Sequence, residues 1–178
     1  SVYFQVAAYI LPAQGPVSFV VPTGNFGDAY SAWVAKQMNA PIGRIVLATN
    51  ENDILTRALQ TGRYQRGESK ATLSPAMDIQ VASNFERILF EALDRDAETL
   101  SALYATFAET GAFDIPQAAL VRLREDFDAV AVDDETTLAT MRNAWVYDQD
   151  MICPHTAVGE YGRVAGAAPP IVFLATAH

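Results

Sequence analysis

Residues 20–28, with the sequence Val-Val-Pro-Thr-Gly-Asn-Phe-Gly-Asp, carry a hydrophobic run into a short turn that opens a helix. The β-branched and aromatic residues over 17–21 predict a buried strand, and the spacing over 28–38 predicts a helix. The glycine turn, Thr23–Asp28, lies between them. Gly24 and Gly27 lack the Cβ atoms that would block a positive φ or the close approach of an anion. Backbone N–H groups can then converge on phosphate oxygens at the positive end of the helix dipole.

A second strand follows this helix. The apolar run over 44–48, after Pro41 and Gly43, has the composition of a buried strand. Strand, helix and strand form a βαβ unit, so we expect the two strands to be parallel and the crossover to be right-handed. A helix over 2–11 should precede the unit, and another buried strand is expected over 171–175. The predicted class is therefore α/β.

Polar residues follow the second strand. Asn50–Asp53 offer side-chain oxygens as caps for a helix that Gly62 should end. Residues 63–72 are polar and predict turns. A further helix should begin after Ser83 or Asn84, where apolar residues return at helical spacing.

Helical spacing continues over the whole stretch 94–149. Gly111 should end one helix, and Pro116 suits the first position of the next. Asp133 or Asp134 is expected to cap a third. We therefore predict a helical region inserted into the α/β structure.

Composition indicates one globular domain. The 178 residues are 51% hydrophobic and 19% charged, which allows a sizeable core. Twelve basic against 21 acidic residues give a formal charge of -9, which repels nucleic acid and anionic membranes. We expect neither as a partner. A phosphate site on this chain must rely on backbone amides.

The single cysteine, Cys153, excludes an internal disulfide framework and has no spaced partner for a zinc site. No metal is expected. No apolar run reaches the roughly 18 residues needed to span a bilayer, and the start lacks the features of a secretory signal. These features favour a cytoplasmic location. Because the chain begins at Ser1 without Met and stops at His178 after a strand-like run, we expect it to be a piece of a larger protein.

The glycine turn alone leaves two interpretations open, an anion site and an ordinary tight connection. It lacks the G-x-G-x-x-G of a dinucleotide fold and the Gly-Lys-Ser/Thr of a nucleotide P-loop. Glu51 lies about as far downstream as the ribose-binding acid of a Rossmann protein. We favour a role at the helix start over a dinucleotide site for this residue.

Several blocks of sequence carry a family resemblance. They are Val21–Asp28, Ala48–Leu55, Ser74–Val81 with Ser83–Arg87, Pro154–Gly159 and Leu174–His178. In this order they resemble the motifs of the threonine synthases in their longer bacterial and fungal form. The resemblance covers nearly the whole chain and is loose between Asp94 and Asp150.

This resemblance implies a fold-type II pyridoxal-phosphate enzyme, similar to the tryptophan synthase β-subunit. Such an enzyme has a three-layer α/β fold with a mainly parallel sheet. The cofactor would be pyridoxal 5'-phosphate, and the reaction would convert O-phospho-L-homoserine and water into L-threonine and phosphate. The chain would then divide into a phosphate-binding α/β region over 1–93, a helical insertion over 94–150, and a return to the sheet over 151–178.

The resemblance also assigns site residues. Those placed around the cofactor phosphate are Gly24, Asn25, Phe26, Gly27 and Asp28. Thr176, at the end of the last strand, would face the pyridine nitrogen. A neutral hydroxyl there would not hold the ring nitrogen protonated, and this tunes the ring as an electron sink. His155 is expected to shape the site without transferring protons.

The Schiff-base lysine of the family has no match in this chain. Lys36 lies two turns into the predicted helix behind the glycine turn, and Lys70 lies in a polar loop. Neither has the desolvated setting of such an amine. The resemblance places that lysine before Ser1, so we expect no catalytic residue here and no turnover by the fragment alone. Cys153 stands where the family more often has aspartate.

Two other functions stay open. One is a threonine-synthase-like lyase that eliminates phosphate from a related amino alcohol phosphate. The other is a non-catalytic domain that binds the cofactor or a partner protein. The sequence predicts no oligomeric state.

Overall fold

A parallel sheet organises the computed structural model, which describes residues 1–11, 15–162 and 169–175. The strands are Val17–Pro22 (β1), Ile42–Thr49 (β2), Arg63–Gln65 (β3), Ala112–Asp114 (β4), Phe127–Ala131 (β5) and Ile171–Phe173 (β6). The helices are Val2–Ile10 (α1), Gly27–Gln37 (α2), Ile54–Thr61 (α3), Phe85–Ala92 (α4), Ala97–Thr110 (α5), Gln117–Asp126 (α6), Asp134–Asn143 (α7) and Pro154–Gly162 (α8).

The main sheet has the strand order β5-β2-β1-β6 within the described residues, and every neighbouring pair is parallel. β1 and β2 are joined through α2, with Val20 opposite Val46. This confirms the predicted βαβ unit and its parallel strands.

Alternate side chains of β1 and β2 face opposite layers, as the two-residue period of a strand requires. Phe19 and Leu47 belong to the larger core, with residues of α1 to α6. Val20 and Val46 belong to a second core with Val158 of α8. Helices therefore cover both faces of the sheet, which confirms the predicted three-layer α/β fold.

Two glycines let α8 approach the sheet closely. A Cβ atom at Gly159 would lie 2.6 Å from a side-chain carbon of Pro22, and one at Gly162 would lie 2.6 Å from Val20 Cγ1. Real Cβ atoms do not come this close, so only glycine fits at either position. This contact fixes α8 on the sheet with its first residues near the end of β1.

The prediction of helix throughout 94–149 is wrong at two places. β5 pairs in parallel with β2, with Phe127 opposite Ile45. β4 pairs antiparallel with β3 to form a second, two-stranded sheet. Phe127 continues the apolar spacing of α6, but its buried ring and the backbone hydrogen bonds to β2 favour a strand there.

The glycine stops and one cap agree with prediction. Gly62 (φ 81°) and Gly111 (φ 75°) adopt the left-handed conformation directly after α3 and α5. The Asp133 side chain accepts the Thr136 N–H at 2.8 Å and caps α7. Pro116 precedes α6 instead of occupying its first position. None of the described helices has the length and apolarity to cross a membrane.

Candidate anion-binding site at the glycine turn

The glycine turn lies at the C-terminal edge of the parallel sheet. The Thr23 N–H donates to the Ala48 carbonyl at 2.9 Å, so the turn begins where the pairing of β1 and β2 ends. Ligands of open α/β sheets bind at this edge. A cavity of about 240 Å³ opens there. Its lining residues are Pro22, Thr23, Gly24, Asn25, Gly27, Asp28, Ala76, Met77 and His155.

The positive φ expected at a glycine belongs to Phe26, whose φ is 67°. In the described residues, neither Gly24 nor Gly27 has a positive φ. The left-handed conformation costs a non-glycine residue roughly 1–2 kcal/mol. The sharp reversal of the chain therefore occurs at Phe26, and neither glycine is required for a positive φ.

Burial and a hydrogen bond hold Phe26 in this conformation. Its N–H donates to Thr23 Oγ1 at 3.0 Å within the turn. Its ring is 1% exposed and packs against Phe85 and Phe127, with ring centroids 5.7 and 5.3 Å apart. Of the five residues predicted around the phosphate, Phe26 is thus the one whose side chain belongs to the core and does not line the cavity.

The first turn of α2 leaves several backbone donors without a partner. The Phe26 carbonyl accepts the Tyr30 N–H at 2.9 Å, which starts the helical hydrogen bonds. In the glycine turn and the first turn of α2, five N–H groups have no acceptor within the described part of the chain, those of Gly24, Asn25, Gly27, Asp28 and Ala29. The first four belong to residues that line the cavity. Unpaired donors at a helix start, together with the helix dipole, form an anion site.

The side chains around the cavity supply little positive charge. No lysine or arginine is among its lining residues in the described ranges. Asp28, in the first turn of α2, places an exposed carboxylate at its rim. An anion bound here would be held by main-chain N–H groups, as the acidic composition requires.

A roof segment, Ser74–Asp78, covers one side of the cavity. A Cβ atom at Gly24 would lie 3.2 Å from the Met77 Cα and 3.0 Å from Ile79 Cδ1. The main chain of the roof segment would therefore have to move by a few tenths of an ångström to admit a Cβ atom at Gly24.

Gly27 is less constrained. A Cβ atom at this position would meet only the Asn84 amide nitrogen, at an ordinary 3.5 Å. The Asn84 N–H also donates to the Asn25 carbonyl at 3.1 Å, which ties the glycine turn to the start of α4. A Cβ atom is therefore accommodated at Gly27 without strain, whereas at Gly24 it makes tight contacts.

A polar network anchors the roof segment to the end of β2. Asn50 Nδ2 donates to Thr72 Oγ1 at 2.8 Å, Ser74 Oγ at 3.0 Å and Asp78 Oδ1 at 2.8 Å. Asn52 Nδ2 donates to Asp78 Oδ1 at 3.0 Å. Asn50 and Asn52 are 1% and 2% exposed, so these bonds form away from water.

The prediction that Asn50–Asp53 cap α3 is wrong in its details. Asp53 occupies the N-cap position without a side-chain cap hydrogen bond. Its carboxylate instead accepts from Arg57 Nε at 2.7 Å, one turn along the helix. The two asparagines hold the roof segment because that segment lies within reach of the end of β2.

The start of α8 contacts the roof segment from the other side. His155 Nε2 accepts the Ala76 N–H at 3.3 Å, and the imidazole lines the cavity. Ala76 and Met77 were not among the predicted site residues. The Ser-Pro-Ala-Met-Asp block marked this segment, but nothing local in it shows that it folds over residues some fifty positions earlier.

Cys153 occupies the N-cap position of α8. Its carbonyl accepts the Ala157 N–H at 2.9 Å, and its Sγ lies 3.5 Å from the Thr156 nitrogen and 3.3 Å from Thr156 Oγ1. Burial raises the pKa of the Cys153 thiol, but the hydrogen bonds with Thr156 and with the backbone of His155 and Cys153 together outweigh it and hold the pKa below its ordinary value. The residue serves helix capping here.

Both lysines are paired away from the cavity. Lys36 Nζ lies 2.7 Å from Asp126 Oδ1 and donates to the Gly43 carbonyl at 2.8 Å. Lys70 Nζ lies 2.9 Å from Glu51 Oε1. No group of three or more His, Cys, Asp or Glu side chains in the described ranges could hold a metal ion. Thr176, predicted to face the cofactor ring, lies outside the described residues.

Comparison with solved structures defines the class. The chain has the fold of the fold-type II pyridoxal-phosphate enzymes. It superposes on the serine racemase of maize with a TM-score of 0.52 at 15% identity over 89% of this chain, a likeness in fold alone. No family model matches the sequence.

Within that class the chain is similar to the threonine synthases, which confirms the resemblance. It is 43% identical to the pyridoxal-phosphate-bound threonine synthase of Brucella melitensis, with a TM-score of 0.96 over 99% of this chain and 39% of that one. It is 36% identical to the threonine synthase of Pseudomonas aeruginosa over 99% of this chain and 38% of that protein. The chain thus spans about two fifths of the length of these relatives.

Proposed function

We propose that the glycine turn binds the phosphate of pyridoxal 5'-phosphate and that the chain serves a threonine synthase. The observation that carries the proposal is the group of unpaired backbone N–H groups on the cavity at the C-terminal edge of β1. The cavity, at about 240 Å³, is smaller than the 300–1,000 Å³ typical of whole ligand sites. Its size suits a phosphate group.

Main-chain donors account for the recognition of the phosphate. The N–H groups of Gly24, Asn25, Gly27 and Asp28 would donate to its oxygens, and α2 would add its dipole. Phe26 contributes conformation only, since Thr23 already accepts its N–H. The residues present therefore fit a phosphate monoester.

The remaining residues of the site hold the roof segment in place and enclose one side of the cavity. When bound, the cofactor supplies an electron sink for the carbon atoms of an amino acid substrate. His155 and the polar network hold the roof segment at the side of the cavity where the phosphate would bind. We propose that the amine that would bind the cofactor aldehyde lies outside this sequence. The ion pairs of Lys36 and Lys70, both away from the cavity, support this proposal.

The proposed reaction converts O-phospho-L-homoserine and water into L-threonine and phosphate. Product analysis with the complete protein that contains this chain tests it. We expect the wild type to form threonine and phosphate in equal amounts. We also expect the Lys36→Met and Lys70→Met variants to keep this activity.

The other outcomes identify the alternatives. Phosphate release without threonine would instead indicate a lyase acting on a related amino alcohol phosphate. Binding of the cofactor without any product would indicate a non-catalytic domain.

A further inference from the structure

The carboxylate of Asp78 is the centre of the polar network. Its Oδ1 accepts from Thr72 Oγ1 at 2.6 Å, from Asn50 Nδ2 at 2.8 Å and from Asn52 Nδ2 at 3.0 Å. Its Oδ2 accepts the Thr72 N–H at 3.0 Å. Four donors thus converge on one half-buried side chain.

Only a carboxylate satisfies this arrangement. An ionised aspartate accepts on both oxygens, whereas asparagine carries an oxygen on one side and an NH₂ donor on the other. With asparagine at position 78, either orientation of the amide sets its NH₂ against existing donors. Unpaired donors in a partly buried network cost more than the loss of one hydrogen bond.

Because of its position in the chain, Asp78 also affects the residues that line the cavity. It directly follows Met77, whose main chain lies against Gly24. The Asp78 N–H donates to the Pro75 carbonyl at 3.1 Å, and the Met77 N–H donates to the Ser74 carbonyl at 2.9 Å. The roof segment is a closed turn, so anchoring Asp78 places Ala76 and Met77.

The two asparagine donors to Asp78 lie at the end of β2. Asn50 immediately follows β2, and its Oδ1 accepts the Asn52 N–H at 2.9 Å. The roof segment and the glycine turn are therefore attached to the same edge of the sheet. Asn50 holds the roof segment there, and the hydrogen bond of Thr23 to Ala48 holds the glycine turn. These two connections, together with the hydrogen bond from Ala76 to His155, position the roof segment relative to the glycine turn.

We propose that Asp78 is a positioning residue for the phosphate site: it fixes the roof segment at the height above Gly24 that the bound phosphate requires. This inference rests on the proposed function of the glycine turn. Asp78 does not line the cavity, so it acts through Ala76 and Met77.

Two measurements, made on the wild type and on each variant, test this role. One is the dissociation constant for pyridoxine 5'-phosphate, which lacks the aldehyde and cannot react with lysines. The other is amide hydrogen exchange at Ala76 and Met77. We expect Asp78→Asn to raise the dissociation constant about tenfold, a change equivalent to about 1.4 kcal/mol, and to speed exchange at both amides.

A matched carboxylate provides the control. Asp114 pairs with Arg63 at 3.0 Å and its side chain is exposed. Asp114→Asn removes the same charge and should leave both readouts unchanged. Thr72→Ser keeps the hydroxyl that donates to Asp78 and should bind like the wild type, whereas Thr72→Val should behave like Asp78→Asn.

The outcomes separate this inference from the proposed function. Wild-type binding that Asp78→Asn leaves intact would overturn the role of Asp78 and leave the function standing. Unchanged exchange at Ala76 and Met77 would overturn it as well. If the wild type binds no pyridoxine 5'-phosphate, the proposed function fails, and with it the role of Asp78 in binding.

Discussion

Gly24 is the residue at which the glycine turn meets the roof segment. Because a Cβ atom there would press on the Met77 main chain at 3.2 Å, we expect Gly24→Ala to lift the roof segment. The dissociation constant for pyridoxine 5'-phosphate should rise about tenfold or more, and the free energy of unfolding should fall by about 1–3 kcal/mol. Titration calorimetry and denaturant unfolding measure the two effects.

Gly27→Ala is the matched control for this substitution. Its Cβ atom would make an ordinary 3.5 Å contact with Asn84, and its φ suits any residue. Binding should stay within about twofold of the wild type. If both variants lost binding equally, the contact between position 24 and the roof segment would not be the cause of the loss.

Asp28 is the acidic residue on the rim of a site proposed to bind an anion. Because like charges repel, Asp28→Asn should strengthen binding of pyridoxine 5'-phosphate, by about threefold for an exposed group at low salt. Glu86→Gln changes the net charge equally in the first turn of α4, away from the cavity. It should have no effect. Weaker binding by Asp28→Asn would instead assign its carboxylate a direct role.

At the level of elements, Cys153 is a weak cap for α8. Its sulfur lies 3.5 Å from the Thr156 nitrogen, and aspartate is among the strongly preferred N-cap residues. We expect Cys153→Asp to raise the free energy of unfolding by about 1 kcal/mol, whereas Cys153→Ala should not raise it. Denaturant unfolding distinguishes the two, and equal stability of both variants would show that this cap does not matter.

Elements with local signals could be predicted from the sequence. β1, α2 and β2 combine buried strand composition, helical spacing and glycine breaks within a short stretch, and all three are present. The pairing of β3 with β4 joins Arg63 to Asp114, 51 positions apart, and no local pattern encodes it. β5 was missed because Phe127 satisfies both helical spacing and burial in a sheet.

The candidate site was predictable to a similar extent. The glycine turn was located because a strand, two glycines and a helix start are adjacent in the sequence. The role of the roof segment could not be predicted, because the polar network that anchors it joins Asn50 to Asp78, which lie 28 positions apart. The sequence favours a positive φ at a glycine, which adopts it most readily, whereas the packing of Phe26 in the core imposes it on that residue.

At the scale of the whole molecule, an aromatic cluster joins the second sheet to α4 and α5. Tyr64 is fully buried and stacks on Phe85 and Phe113, with centroids 5.1 Å away in each case. Its hydroxyl accepts the Ala82 N–H at 2.9 Å. Burial raises the pKa of Tyr64 from 10.0 to about 12, although the Ala82 hydrogen bond lowers it in part.

This shift makes stability depend on alkaline pH. Since the folded state keeps the Tyr64 proton that the unfolded chain releases above a pKa of 10.0, stability from this group is complete below pH 10 and is lost as pH rises toward 12. Tyr64→Phe should flatten the decline between these values while lowering stability at pH 7, because the Ala82 N–H loses its acceptor. Unfolding at a series of pH values measures both. Identical alkaline declines would contradict the role of Tyr64.

The most direct test of the phosphate site is an NMR titration of the ¹⁵N-labelled protein with pyridoxine 5'-phosphate. We expect saturable shifts concentrated at the amides of Gly24, Asn25, Gly27 and Asp28, reproduced by inorganic phosphate at higher concentration and absent with unphosphorylated pyridoxine. Saturable shifts centred elsewhere, or shifts that do not depend on the phosphate group, would contradict binding at the glycine turn.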